Sequence, residues 1–383
     1  MKKSKDKRIA LITFADPLMY PPILNTHSIL TENGYNVDIL GIKNNNFNFK
    51  DNYNEFNLVY IDVIKTGFRF LYSYIKFIIH IYKLASRKNY DWIFCYNHKA
   101  VLAVYFISKI NNIKWLYHNH DLSIIKKFGF NKFLKWIESW AVKNANIISF
   151  PQKKRAEIFS KKNNIKKEIC IVYNSPLLNW NIKKNISESI NSIITNKKVI
   201  LYQGELSYTR GLANILKSIP HLSEDIILIL VGKSEIEPAF NNKFKELIDH
   251  LNISNRVFIF ESLSYFDLSS ITNLCDIGIG VLSTTQDDSN INIRHLFGAS
   301  NKIFEYMACG LPIIVPYNDE YYKEIELQKL GLTVDPLSEN SIAKAINKIL
   351  DKSNYNIYSN NVSDKFLNEY NYNKQFQKIL KLL

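Results

Sequence analysis

The segment SNKIFEYMACGLPIIVP, residues 300–316, carries the residue types best suited to holding a small polar ligand. Asn301 is a good helix N-cap, and the helix it predicts carries Lys302, Glu305 and Tyr306 before Gly310 and Pro312 stop it ahead of an apolar strand. A loop entering a helix N-terminus offers backbone N–H groups and the positive end of the helix dipole, which suits a phosphate or a sugar hydroxyl. Glu305, near the first turn, can accept two hydrogen bonds from a ribose diol, although a Glu there also serves as a simple complement to the dipole. A second candidate is WLYHNHDLS, residues 115–123, which ends a predicted strand with His118, His120 and Asp121. Together with His98 these imidazoles are candidates for proton transfer or for structural hydrogen bonding. Four cysteines (Cys95, Cys170, Cys275, Cys309) form no CxxC pair, so neither a disulfide framework nor a zinc site is signalled and a reducing compartment is expected. The run DDS at residues 287–289 is only a weak signal for a metal.

Charge is distributed unevenly around this chemistry. Residues 1–180 hold 28 Lys+Arg against 12 Asp+Glu, whereas residues 181–383 hold 21 against 23, for a net charge of +14. A compositional bias towards Lys would raise both halves, so the basic N-terminal half is expected to meet something anionic. Two basic aromatic stretches carry the excess: FRFLYSYIKFIIHIYKLASRK (residues 68–88), with helical spacing, and KKFGFNKFLKW (residues 126–136). Such segments suit the surface of a membrane, and the first is also compatible with a core helix that has a solvated basic edge.

The elements that must position these groups are short apolar runs rich in β-branched residues. RIALITFA, YNVDILGI, NLVYIDVI, DWIFCYN, IKWLYHN, ANIISF and EICIVYN are strand-length, and most are separated by stretches long enough for a helix. That is the pattern of βαβ units around a parallel sheet. After a connection read as polar, the pattern restarts with VILYQG, IILILVG, RVFIFES, DIGIGVL, PIIVPY and LTVDP, interleaved with helical periods such as LANILKSI, FKELIDHL and SIAKAINKIL. At 383 residues, with 46% apolar and 22% charged residues, two α/β domains of Rossmann type are expected. Their boundaries are read as 1–176 and 177–364, with 365–383 a C-terminal helix returning to the first. Each doubly wound sheet places its ligand crevice at the carboxyl ends of its strands. The N-terminal apolar run is broken by Asp16 and Pro17 and reads as a first strand rather than a targeting segment. No apolar run reaches the roughly 18 residues needed to span a bilayer.

The string at residues 300–316 resembles the nucleotide-binding signature of glycosyltransferase family 4, retaining enzymes of the GT-B fold. LYQGELSYTRGL, residues 201–212, is similar to the family's second landmark, a strand, a Gly and a basic residue before the next helix. With VGK at residues 231–233, the landmarks run through the C-terminal half in family order, and in the N-terminal half the resemblance is thinner. It implies two Rossmann-like domains facing a central cleft, the first binding acceptor and the second a nucleotide-sugar. It implies that Glu305 binds the ribose and that Arg210 neutralises the donor diphosphate, which the backbone at Gly204 approaches closely. In WLYHNHDLS the matched strand-end position is His120, with Asp121 beside it.

Two departures from the family pattern stand out. The Glu that in many relatives holds the donor sugar falls at Phe297, leaving that task to groups such as the backbone of Gly298 and Ala299. The first basic residue after Gly204 is replaced by Glu205, which shifts its work to Arg210 and Lys302. The resemblance implies a metal-independent, hexosyltransferase-like reaction with retention, in which the acceptor hydroxyl attacks C1 as the nucleoside diphosphate leaves. No cofactor is implied beyond the donor, with UDP or GDP as the leading nucleotides. The expected acceptor is a glycan or polyprenyl-diphosphate-linked sugar in bacterial surface polysaccharide (capsule or lipopolysaccharide) assembly, at the cytoplasmic face of the cell membrane. The alternatives are a GT-B sugar-nucleotide epimerase and a non-catalytic carbohydrate- or partner-binding relative. No motif accompanies the basic half to suggest nucleic acid.

Overall fold

The apolar runs of the sequence become strands, and the inner ones, such as Trp92–Tyr96 and Ile226–Val231, are buried on both faces, which requires helices on both sides of the sheet. The structure, a computed structural model, describes residues 7–43, 56–61, 68–119, 130–180, 188–207, 210–232, 238–280, 297–298 and 300–383. Contacts divide the chain into one unit of Met1–Tyr173 with Gln375–Leu383 and a second of Asn174–Lys374. Residues 365–374 therefore stay with the second unit, and only the last nine residues count with the first.

The first unit is built on β1 (Arg8–Thr13), β2 (Asn36–Ile42), β3 (Leu58–Ile61), β4 (Trp92–Tyr96), β5 (Lys114–His118), β6 (Ile147–Phe150) and β7 (Ile169–Ile171). They pair in parallel in the order β3-β2-β1-β4-β5-β6-β7, with Ile9 opposite both Val37 and Trp92. Right-handed crossovers put helices on opposite faces according to the direction in which the chain steps along the sheet. Helix α1 (Pro21–Glu32) follows the step from β1 to β2. Helices α2 (Phe68–Lys88), α3 (His98–Ile110), α4 (Phe130–Ala141) and α5 (Lys153–Asn163) follow the reverse steps and share the other face. One core there joins Tyr74, Phe77 and Ile81 of α2 to Leu134 and Ile137 of α4 and to the strand residues Ile12 and Tyr117. The chain reverses direction between β1 and β4, the topological switch point of this sheet.

The second unit repeats the plan with β8 (Lys198–Gln203), β9 (Ile226–Val231), β10 (Val257–Phe260), β11 (Ile277–Ile279), β12 (Ile313–Pro316) and β13 (Gly331–Val334), ordered β10-β9-β8-β11-β12-β13 and parallel throughout. Its switch point lies between β8 and β11. The helices are α6 (Glu188–Ile194), α7 (Leu212–Ser218), α8 (Pro238–His250), α9 (Tyr265–Thr272), α10 (Asn301–Ala308), α11 (Glu339–Leu350) and α12 (Lys352–Lys365). A last helix, α13 (Tyr372–Leu380), brings Phe376 within 6.4 Å of Phe94 in the first unit's core. The connection read as polar is anchored instead: Leu177 and Trp180 are buried, and the Trp180 indole donates to the Tyr265 carbonyl at 3.0 Å. No helix among the described residues is long and apolar enough to cross a membrane.

Candidate functional site

Helix α10 starts one residue earlier than the sequence suggests. Ser300 occupies the N-cap and Asn301 the first helical position, and Ser300 makes no side-chain capping bond. The backbone N–H groups of the first turn are thus not claimed by a cap side chain. The other end closes as read: Gly310, at φ +71°, lets Leu311 donate to the Tyr306 carbonyl at 3.0 Å and Gly310 to Met307 at 3.1 Å. Buried Ile303, Phe304, Tyr306 and Met307 hold the helix on the sheet, and the Tyr306 hydroxyl ties it to two strands at the switch point. That hydroxyl donates to the Ile279 carbonyl at 3.0 Å and accepts from the Gln203 backbone N–H at 3.2 Å.

This packing presents Lys302 and Glu305, three residues apart on one helix face, to the carboxyl end of β8. The Glu305 carboxylate is buried and accepts a hydrogen bond from Gln203 Nε2, whose own Oε1 accepts from Thr272 at 3.1 Å. Lys302 Nζ lies 4.2 Å from the Tyr202 ring centroid, a cation–π contact. Gly204 follows at φ +121°, and a Cβ there would stand 3.0 Å from Lys302 Nζ. Gly204 also abuts Gly232 at the end of β9, where an added Cβ would come within 1.7 Å of the Gly204 carbonyl oxygen. Two glycines therefore let the strand ends close up beneath the helix. Arg210 donates to a single Glu205 oxygen from Nε at 3.2 Å and from Nη2 at 2.6 Å.

Charge in the cluster is poised near neutral pH. Burial pushes the Glu305 carboxyl up to about 7, against the Gln203 hydrogen bond and the Lys302 charge. Burial pushes the Lys302 ammonium down to about 7, helped by the Arg210 charge and opposed by Glu305 and Glu205. The structure thus brings Gly204, Arg210, Lys302 and Glu305 into one neighbourhood. Gly298, buried at φ +83°, lies in the turn before α10, and Ala299 falls outside the described residues. Phe297 is a core residue: its ring stands 5.5 Å from Phe304 and 5.3 Å from Tyr370. Gln203 and Thr272 escape the sequence reading, although a polar residue ending an apolar strand just before a glycine is a usable signal.

In the first unit, His120 and Asp121 lie outside the described residues, which stop at Asn119 and resume at Phe130. The strand end before them is well defined. His118 is buried with Nδ1 3.2 Å from Ser149 Oγ, and His98 begins α3. Between β4 and α3, Asn97 adopts φ +71° and ψ 154°, a region almost reserved for glycine, with its N–H donating to the His118 carbonyl at 3.1 Å. Beneath β5, buried Glu138 of α4 accepts from the Tyr117 hydroxyl and from Asn119 Nδ2 at 3.0 Å. Burial raises the Glu138 carboxyl above the usual carboxylate range, its hydrogen bonds notwithstanding. A raised carboxyl adds stability below its unfolded value and loses it as pH rises through the folded one. Glu138→Gln keeps one oxygen for both donors and removes the buried charge. Its melting temperature relative to the wild type is expected to rise as pH increases, and thermal melts across pH check this. An offset that stays constant with pH would mean the carboxyl does not change its ionisation over that range.

Comparison with known proteins agrees with this architecture. Residues 183–365 match the family model "Glycosyl transferases group 1", and residues 8–152 match "Glycosyl transferase 4-like". Each half of the chain therefore matches a glycosyltransferase family model, and the fold is GT-B. The chain is 20% identical over 229 residues to an uncharacterized glycosyltransferase of Methanocaldococcus jannaschii, a match spanning 55% of this chain and 54% of that protein. It thus spans about half the length of that curated relative. A solved glycosyltransferase from Rickettsia africae aligns with a TM-score of 0.75 at 16% identity, covering 98% and 97% of the two chains. Anabaena HepE in complex with UDP aligns at 0.67 and 15% identity, covering 98% of each chain. A putative UDP-N-acetylglucosamine 2-epimerase from Listeria monocytogenes shares the fold at 0.63 and 11% identity, covering 98% of this chain and 95% of that one.

Proposed function

We propose that this protein is a retaining glycosyltransferase that binds a nucleoside-diphosphate sugar in its second unit and transfers the sugar to a glycan or polyprenyl-diphosphate-linked acceptor held by the first. The observation that carries the reading is the buried Glu305 carboxylate, locked by Gln203 at the switch point of the second sheet with Lys302 beside it. A buried carboxylate is costly unless its partners or ligands use it, and a vicinal diol supplies two donors. Lys302 and Arg210 are assigned to the diphosphate of the same ligand. They supply the positive charge that a departing nucleoside diphosphate needs, so we assign no metal or cofactor. UDP is the first nucleotide to try, since HepE of the same fold was solved with it. His120 and Asp121 are assigned to the acceptor side from the sequence motif alone. The setting proposed is surface polysaccharide assembly at the cytoplasmic face of a bacterial membrane.

The test is thermal stability against UDP, GDP, CDP, ADP and dTDP. A ligand present at 100 times its dissociation constant adds about 2.7 kcal/mol, a shift of about 2–4 °C for a protein of this size. A shift with one base, lost in Glu305→Ala, supports the donor site and names the nucleotide. No shift with any of them overturns it in favour of a non-catalytic relative. An epimerase is the second reading, favoured by the fold shared with the Listeria protein. Conversion of a free UDP-sugar to its epimer without acceptor would establish it.

A further inference from the structure

The outer surfaces of α2, α3 and α4 share a composition that the transferase chemistry does not use. On α2, Leu71, Ile75, Ile79 and Tyr82 recur at helical spacing as an exposed row, with Tyr72 65% exposed beside it. A second exposed row on the same helix is Lys76, His80, Lys83 and Arg87. On α3, Phe106 and Ile110 are exposed, and on α4 Phe133, Trp136 and Trp140. Tyr105 and Trp140 meet at 4.7 Å, which joins the outer rows of α3 and α4. α2 packs against α3 and α3 against α4, so these rows lie on the same side of the sheet. Across the three helices the one carboxylate is Glu138, and it is buried.

We infer that this three-helix face docks on the surface of an anionic lipid bilayer, with its aromatic and aliphatic rows in the headgroup region and its Lys and Arg on the phosphates. The inference deepens the transferase reading, and rests on it only for the lipid-linked acceptor. Soluble proteins seldom leave so large an apolar patch in water, which marks it as a contact surface. Basic residues alternating with apolar rows, with Trp among them, are the composition of helices that lie in the interface. A second copy of the chain is a poorer occupant, because a symmetric contact would set the exposed Lys and Arg of one face against those of the other.

The experiment is sedimentation of the full chain with vesicles of phosphatidylglycerol and phosphatidylcholine, or of phosphatidylcholine alone, without nucleotide. The protein should pellet with the anionic vesicles and be released by salt. Of its five tryptophans, Trp92, Trp115 and Trp180 are at most 3% exposed while Trp136 and Trp140 are 64% and 48%. Brominated acyl chains should therefore quench these two from within the bilayer. K83E/R87E and I79S/W136S each change exposed side chains and should lower vesicle affinity at least about tenfold. Both should keep the stabilisation by nucleotide, which separates failure of this face from failure of the donor site. Absence of pelleting at low salt, pelleting without quenching, or a dimer of the wild-type chain that I79S/W136S abolishes would each overturn the assignment.

Discussion

Glu305→Ala is expected to reduce kcat/KM for the donor by roughly 150-fold or more while leaving the fold intact. Two hydrogen bonds from ribose hydroxyls to an ionised carboxylate contribute about 3 kcal/mol together, and each 1.36 kcal/mol is a factor of ten. The fold survives because the substitution also removes a buried charge, which among the described residues accepts a hydrogen bond from Gln203. The same group makes binding pH-dependent. With its carboxyl near 7, Glu305 is ionised above neutrality and loses an acceptor below it, so donor affinity falls as pH drops. Stability of the unliganded protein carries a second signature. The raised carboxyl loses stability as pH climbs from the ordinary carboxylate range to about 7, and the depressed Lys302 regains it from about 7 towards the ordinary lysine range. A shallow minimum near neutral pH is the expected result, and Glu305→Gln should remove its acid limb. Melting curves across pH for the two proteins, with donor kinetics beside them, check both claims. A wild-type kcat/KM in Glu305→Ala would remove the site assignment altogether.

How far the sequence could be read depends on whether a feature is periodic. The strands stand out because runs such as RIALIT and IILILV are buried almost throughout and need no partner to be recognised. Helix α2 was equally legible, since its buried positions recur at Tyr74, Phe77, Ile81 and Ala85. Helix α3 carries no such signal. Its sequence HKAVLAVYFISKI is apolar on most sides, so it has little amphipathic contrast. In the connection before β8, Leu177 and Trp180 are buried among Asn and Lys, and two isolated anchors have no period to betray them.

The site was legible as a set of positions and not as a set of pairings. The helix carrying Lys302 and Glu305 could be placed from its stop signals and its resemblance to a known signature. Gln203 could not be assigned as the Glu305 partner, because the contact joins residues about a hundred positions apart. Phe297 shows the converse. Its departure from the family pattern is plain in the sequence, yet only packing against Phe304 and Tyr370 shows that the position has become core.

Arg210→Ala is expected to lower kcat by roughly two to three orders of magnitude, the range for removing one charge-stabilising donor at a leaving group. Its salt bridge to Glu205 is part-exposed, 37% and 32% for the two side chains, so losing it should cost at most about 1 kcal/mol of stability. The defect should therefore be kinetic, with little change in melting temperature. Glu205→Gln is expected to move the opposite way. Glu205 occupies the Arg210 guanidinium through one carboxylate oxygen, and the diphosphate of the proposed donor would have to share or displace that contact. Removing the negative charge should tighten nucleotide binding several-fold, and the gain should shrink when Arg210 is already Ala, because both substitutions act on the same pair. Donor titrations of the two single variants and the double variant measure that coupling. If Glu205→Gln weakens binding instead, Glu205 orients the guanidinium for the diphosphate rather than competing with it. The conservative Glu205→Asp should then restore part of the loss.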